Sequence, residues 1–342
     1  MWFKCNAKAR LTHFNLPTYP NMKVIDIIRE AQEAGKPRFS FELLPPLKGD
    51  GLNKIFGAID RLIPYNPAFI NVTYHREEYK YTERPDGLIQ KHIMRRRPGT
   101  VGVSAAIKQK YNIAVVPHII CGGQSRYDIE DSLIDLDFLG INNVFALRGD
   151  AMPGSPRFAP HTDGHSHANQ LVEQIHDMNE GVFIDGEPDT HHHTDFCIGV
   201  AGYPEKHIES PNLLTDLGYL KQKVDAGADY IATQICYDAD AIIRFRDRCA
   251  EVGINVPIVP GLKPFASKKQ LTVLPQTFAV DLPQALVERV QACADNDDVK
   301  KVGEEWAIKQ SEQLIKAGFP VIHFYTMTRT QQVETICRGL GF

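Results

Sequence analysis

Residues 142–150, Asn-Asn-Val-Phe-Ala-Leu-Arg-Gly-Asp, decide how the rest of the chain is read. Val144 to Leu147 is a short apolar run that ends abruptly in Arg148-Gly149-Asp150. Such a run fits a strand buried on both faces, although periodicity alone does not exclude a helix. Pro153, Gly154 and Pro156 follow, so regular structure stops there. An arginine and a carboxylate thus stand at the carboxyl end of a candidate core strand, where parallel α/β folds collect ligands.

The same pattern recurs outward in both directions. Apolar segments at 38–43, 69–74, 114–120, 196–201, 230–235, 257–261 and 321–325 each end in turn-forming or polar residues. Helical periodicity appears before the first segment at 24–31. Between segments it appears at 52–63, from about Gly87, at 127–138, 214–226 and 239–251, with two helices across 266–317. Pro117 sits awkwardly in the third segment, because proline cannot donate to a strand ladder. Eight segments alternating with helices at a spacing of roughly 40 residues predict an α/β fold, a single (β/α)8 TIM barrel. A doubly wound sheet is the alternative, but no GxGxxG follows any strand, so a dinucleotide would not be held in the Rossmann manner. Residues 1–21 read as an N-terminal extension, 22–342 as one barrel, and 151–195 as a long excursion, with one amphipathic stretch at Ala168 to Met178, on the rim that carries Arg148 and Asp150.

The 342 residues hold 38 basic and 42 acidic side chains, a net charge of −4, which lacks the electrostatic footprint of a nucleic-acid binder. No stretch approaches the roughly 20 apolar residues that span a bilayer. Seven scattered cysteines without a CxxC pair suggest free thiols in a reducing, cytoplasmic setting. His161, His165, His167 and the triplet 191–193 raise the question of zinc; they lack cysteine partners and lie in the excursion, so no metal site is expected.

The polar residues at the strand ends are Glu42, Thr73, His118, Arg148 with Asp150, Tyr203 with His207, Gln234, Lys263, and Tyr325 with Arg329. In a barrel they face one cup. Glu42 lies between Phe41 and Leu43, so desolvation favours its protonated form and suits a general acid near neutral pH. The alternative is a salt bridge to Arg148 or Arg329.

The motifs FSFELLPP, VTY, VPHIICGG, ALRGD, GVAGYPEKH, LKQKVDAGADYIATQ and HFYTMTR, in that order, resemble the catalytic domain of the methylenetetrahydrofolate reductase family. The resemblance covers most of 22–342 and implies a flavoprotein that reduces 5,10-methylenetetrahydrofolate to 5-methyltetrahydrofolate. It implies bound FAD, with NADH or NADPH (undecided) as hydride donor, folate and nicotinamide as small-molecule partners, and a homo-oligomer. By this resemblance Glu42 is the general acid and Asp150 lies near both flavin and folate. Gln234, Phe278, Tyr325 and Arg329 are on the substrate side. Thr73, His118, Leu147, Arg148, Gly149, Asp150, Tyr203, His207, Asp216 and Lys223 are on the FAD side. The chain departs from the family pattern at His75 to Tyr79, where many members carry a glycine-rich loop, so the local flavin contacts there are in question.

Overall fold

The computed structural model describes residues 22–152, 155, 157–185, 193–327 and 330–342. The N-terminal extension, His191, His192 and Arg329 lie outside the described residues. The chain opens with α1 (Val24–Glu33), β1 (Arg38–Leu43), α2 (Asn53–Leu62) and β2 (Ile70–Val72). An antiparallel ribbon, β3 (Glu78–Glu83) and β4 (Ile89–Met94), precedes α3 (Thr100–Tyr111). Then come β5 (Val115–Ile120), α4 (Arg126–Phe138), β6 (Asn143–Leu147), α5 (Ala168–Asn179), β7 (Cys197–Gly202), α6 (Leu213–Asp225), β8 (Tyr230–Thr233) and α7 (Ala239–Glu251). The last part holds β9 (Ile258–Val259), β10 (Gly261–Leu262), α8 (Gln270–Phe278), α9 (Gln284–Ala292), α10 (Asn296–Lys316), β11 (Val321–Met327) and α11 (Gln331–Gly339).

Nine parallel segments form one sheet in the order β10-β11-β1-β2-β5-β6-β7-β8-β9. The two ends of that order, β9 and β10, are separated in the chain by Pro260 alone, so the sheet curls nearly into a barrel. Proline has no N–H to continue a ladder, which is why the expected seventh strand appears as two pieces. Its carbonyl still accepts from His323 N at 2.8 Å, tying the break to β11. Pro117 is tolerated in β5 because its partner, Val72, is the last residue of β2.

Two expectations need correction. The stretch near Gly87 is not the start of a helix. Tyr79 and Tyr81 face Ile93 and Lys91 across a ribbon whose turn is Arg84-Pro85-Asp86-Gly87, a composition that favours a tight turn. The region 266–317 holds three helices rather than two, because Pro283 and Asp295 each restart the chain at a helix amino end. Within the 151–195 excursion the amphipathic stretch 168–178 forms α5, whose Leu171, Val172, Ile175 and Met178 are buried in the main core, so it supplies the helix between β6 and β7.

Alternation along the strands explains the rest. Phe39, Phe41, Leu43, Ile322 and Phe324 join the core beneath the helices, while Ser40, Glu42, His323 and Tyr325 take the opposite, concave face. Val144 and Ala146 face the helices and Phe145 the concave side, so the whole run is buried, as a parallel strand covered on both faces requires. The amino end of the concave face is plugged by α1: Val24, Ile25, Ile27, Ile28 and Ala31 pack with Phe69, Phe145, Tyr230 and Val321. The carboxyl end is left for polar side chains. Among the described residues no helix is long and apolar enough to cross a membrane.

Candidate active site

β1 sets Glu42 opposite Tyr325 of β11 and Asn71 of β2. The pairing slips by one residue after Glu42, and Thr326 Oγ1 donates to the Glu42 carbonyl at 2.6 Å across that irregularity. Glu42 is only 7% exposed, and burial pushes its carboxyl from an ordinary value near 4.5 up to about 7 against the opposing pull of Lys263. His118 Nε2 lies 3.6 Å from Glu42 Oε2. That pair is not an ion pair, because burial, reinforced by His323 and His75, holds His118 neutral with a pKa near 3. Asn71 Nδ2 donates to His118 Nε2 at 3.2 Å, which leaves the imidazole proton on Nδ1. Glu42 therefore keeps about half of its carboxyl protonated near pH 7.

The salt-bridge alternative with Arg148 fails. Arg148, at the end of β6, is held by Glu209 through two hydrogen bonds of 2.6 and 2.8 Å, which raise its pKa, and its guanidinium lies 5.0 Å over the Phe158 ring. Gly149 follows with φ +84°, a backbone region that suits glycine, and Asp150 is exposed. Thr73 Oγ1 reaches His75 Nε2 at 3.2 Å, and Leu147 pairs with Ile120 beside them.

The next loop is organised by Asp216. Its carboxylate, 7% exposed at the first turn of α6, accepts from Ser210 Oγ at 2.7 Å and His207 N at 3.2 Å. Those bonds fold the 203–210 loop, in which the Tyr203 and His207 rings meet edge to face at 4.8 Å. Lys223, two turns further along the same face of α6, donates to the Ala201 carbonyl, and burial lowers its pKa to about 8. Asp216 thus works through the loop it positions, since both carboxylate oxygens are engaged.

On the remaining side, Tyr325 donates from its hydroxyl to Thr233 O at 2.6 Å. Gln234 Oε1 accepts from Ile235 N at 2.8 Å, so the paired amide contact expected of Gln234 is reduced to its NH2 in this conformation. Phe278 ends α8 with its ring exposed and has no ring partner among the described residues. The strand-end residues Glu42, His118 and Tyr325 lie together, while among the described residues nothing ties Phe278 to them.

Sequence reasoning missed Asn71, Glu209, Arg76 and Phe158, which contact or flank the predicted residues. It also missed Glu205, which burial pushes up to about 7 and which accepts from Asp281 N at 3.2 Å. Glu205 lines a separate cavity of about 700 Å³ with Asp238, Arg244, Arg248, Trp306 and Lys309, and none of the predicted site residues lines it. The only signal for Glu205 was its place in GYPEKH.

A protein from Arabidopsis thaliana named methylenetetrahydrofolate reductase (NADH) 1 is 32% identical over 330 residues, covering 94% of this chain and 51% of its own length. The chain therefore spans about half the length of that plant relative. The 5,10-methylenetetrahydrofolate reductase of Escherichia coli K12 is 30% identical over 312 residues, with 91% of this chain and 93% of the other covered. Among solved structures, an uncharacterized protein from Clostridium thermocellum, described as binding two copies of 5-methyl-5,6,7,8-tetrahydrofolic acid, shares the fold. Its TM-score is 0.51 at 14% identity, over 91% of this chain and 97% of that one. The family profile described as methylenetetrahydrofolate reductase matches residues 27–341, almost the whole described chain, and so this chain belongs to the methylenetetrahydrofolate reductase family.

Proposed function

We propose that the chain reduces 5,10-methylenetetrahydrofolate to 5-methyltetrahydrofolate, with NADH or NADPH as hydride source and FAD as bound cofactor. The observation that carries this reading is Glu42, a carboxyl group 7% exposed at the mouth of the curled sheet whose raised pKa of about 7 keeps a donatable proton near neutral pH. A proton from Glu42 to a ring nitrogen of the folate opens its five-membered ring to an iminium, the form that accepts hydride at the methylene carbon. What FAD supplies when bound is storage of a hydride between two substrates that use the site in turn.

The donor set suits such a cofactor. Lys223 offers a cationic donor for phosphate or ribityl oxygens, Arg148 keeps guanidinium N–H groups beyond those taken by Glu209, and Thr73, His118, Tyr203 and His207 offer hydrogen bonds. Leu147 offers apolar surface, Gly149 allows close approach of the backbone, and Asp216 positions the loop. Asp150 contributes a carboxylate that stabilises positive charge in the folate. Gln234, Phe278, Tyr325 and Arg329 belong to the folate side of this proposal.

At the level of the fold, the proposal treats the curled sheet as a (β/α)8 barrel whose seventh strand is interrupted by Pro260, with 22–342 as one catalytic domain and 1–21 as an extension. The six described cysteines are free thiols, which supports a cytoplasmic setting. Self-association is proposed through the β3–β4 ribbon, whose Tyr81, Ile89 and Ile93 are exposed on one face; sedimentation velocity tests it, and a monomer overturns it.

The function is tested by two anaerobic half-reactions of the purified protein, followed at the visible flavin band. NADH or NADPH should bleach it, and methylenetetrahydrofolate should restore it. Bleaching without recovery rejects the folate; absence of a flavin spectrum rejects the cofactor.

A further inference from the structure

We propose that Arg76 is a phosphate-binding residue of the cofactor site, acting with the Gly122–Gly123 turn and Gly149. This rests on the flavin reading above. Arg76 belongs to the loop after β2 that departs from the glycine-rich family pattern. A methyl group placed on Gly122 would stand 3.4 Å from Phe158 Cε2, 3.5 Å from an Arg76 guanidinium nitrogen and 3.6 Å from the Arg148 carbonyl. Two side chains and one backbone carbonyl therefore converge on one glycine turn at the carboxyl rim.

The turn runs from Cys121 to Gln124, and Gly123 carries φ +77° at its third position. Gly122 N donates to the Arg148 carbonyl at 3.1 Å, which fixes the turn against Gly149. Among the described residues, neither the Gly123 nor the Gly149 N–H donates to a protein acceptor. Backbone N–H groups left open on left-handed glycines suit an oxyanion.

Charge points the same way. The Arg148 guanidinium is already matched by the Glu209 carboxylate, so that pair brings no net positive charge to a pyrophosphate. Arg76 is half-buried and has no hydrogen-bond or ion-pair partner among the described residues, unlike Arg96, which pairs with Glu78 at 2.7 Å. A partly desolvated guanidinium without an acceptor is costly, and a phosphate oxygen offers the bidentate acceptor that arginine fits best. The bulky loop thus replaces glycine with a cation where the cofactor is anionic.

The test compares FAD with riboflavin, which shares the ring system and lacks phosphate. Flavin-depleted wild-type protein, Arg76→Gln and Arg76→Lys are titrated with each flavin by fluorescence, with thermal melts of the ligand-free proteins as a fold control. Arg76→Gln should weaken FAD binding by roughly 10- to 100-fold, the range of a charge-assisted hydrogen bond. It should leave riboflavin affinity unchanged, and Arg76→Lys should keep part of the FAD affinity. Equal losses for both flavins, or no loss for FAD, overturn the assignment. A wild-type protein that binds neither flavin defeats the cofactor reading itself, before any substitution is made.

Discussion

The amino and carboxyl ends of the concave face are built from the same strands, one side-chain step apart, and differ in chemistry. At the amino end Phe69, Phe145, Tyr230 and Val321 close under α1, and the polar pair there is Ser40 with His323, 2.9 Å apart. Two residues further along, Ser40 is followed by Glu42, Phe69 by Asn71, and His323 by Tyr325. Burial acts on both layers: it lowers His323 to a pKa near 3 and raises Glu42 to about 7. In each case the neutral form wins, because a low-dielectric surrounding penalises charge of either sign. His323, 1% exposed and plugged from below, holds strands together; Glu42, at the open end, has a proton it can give away. The difference teaches that desolvation alone does not mark a catalytic group. Access to the mouth does.

The contrast is broken most decisively at Glu42. Glu42→Gln should still be bleached by NADH or NADPH, yet the folate half-reaction should slow by roughly 10² to 10⁴, the usual worth of general acid catalysis. A variant that lost flavin or failed to fold would make the upper layer structural like the lower one.

The reverse result is expected below. Ile28→Ala, at a fully buried position of α1, should cost about 2–5 kcal/mol in denaturant unfolding while the folded fraction keeps both half-reaction rates. A slowed half-reaction in the folded fraction would mean that the two ends are coupled.

A smaller effect sharpens the account of Glu42 through pH. Its folded pKa is raised, so its contribution to stability is fully present below about pH 4.5 and is lost as pH rises to about 7. Glu42→Gln removes that loss. The variant should therefore gain on wild type between those pH values, levelling off above pH 7 at up to about 3 kcal/mol. Parallel stability curves for the two proteins would show that the carboxyl is not desolvated.

Much of this was legible in the sequence. The runs 38–43, 114–120 and 144–147 became strands, and 239–251 became α7, because each carries its own burial pattern and local stop signals. The ribbon was not read, although Pro85-Asp86-Gly87 between Tyr79, Tyr81, Ile89 and Ile93 was its signal; its apolar face is solvent-exposed, so no core pattern marked it. At the site, Glu42 was legible from its apolar neighbours in the chain. The partner of Arg148 was not, since Glu209 is 61 residues away.

By itself, the sequence determined most of the alternation of strands and helices, the family, and one acidic group in apolar company, Glu42, because these depend on residues within a few positions of one another. Only the tertiary structure decided that Arg148 is spoken for, that Arg76 comes to the Gly122 turn, and that β9 and β10 meet at Pro260. Those contacts depend on how far the sheet curls, a property of all its strands together.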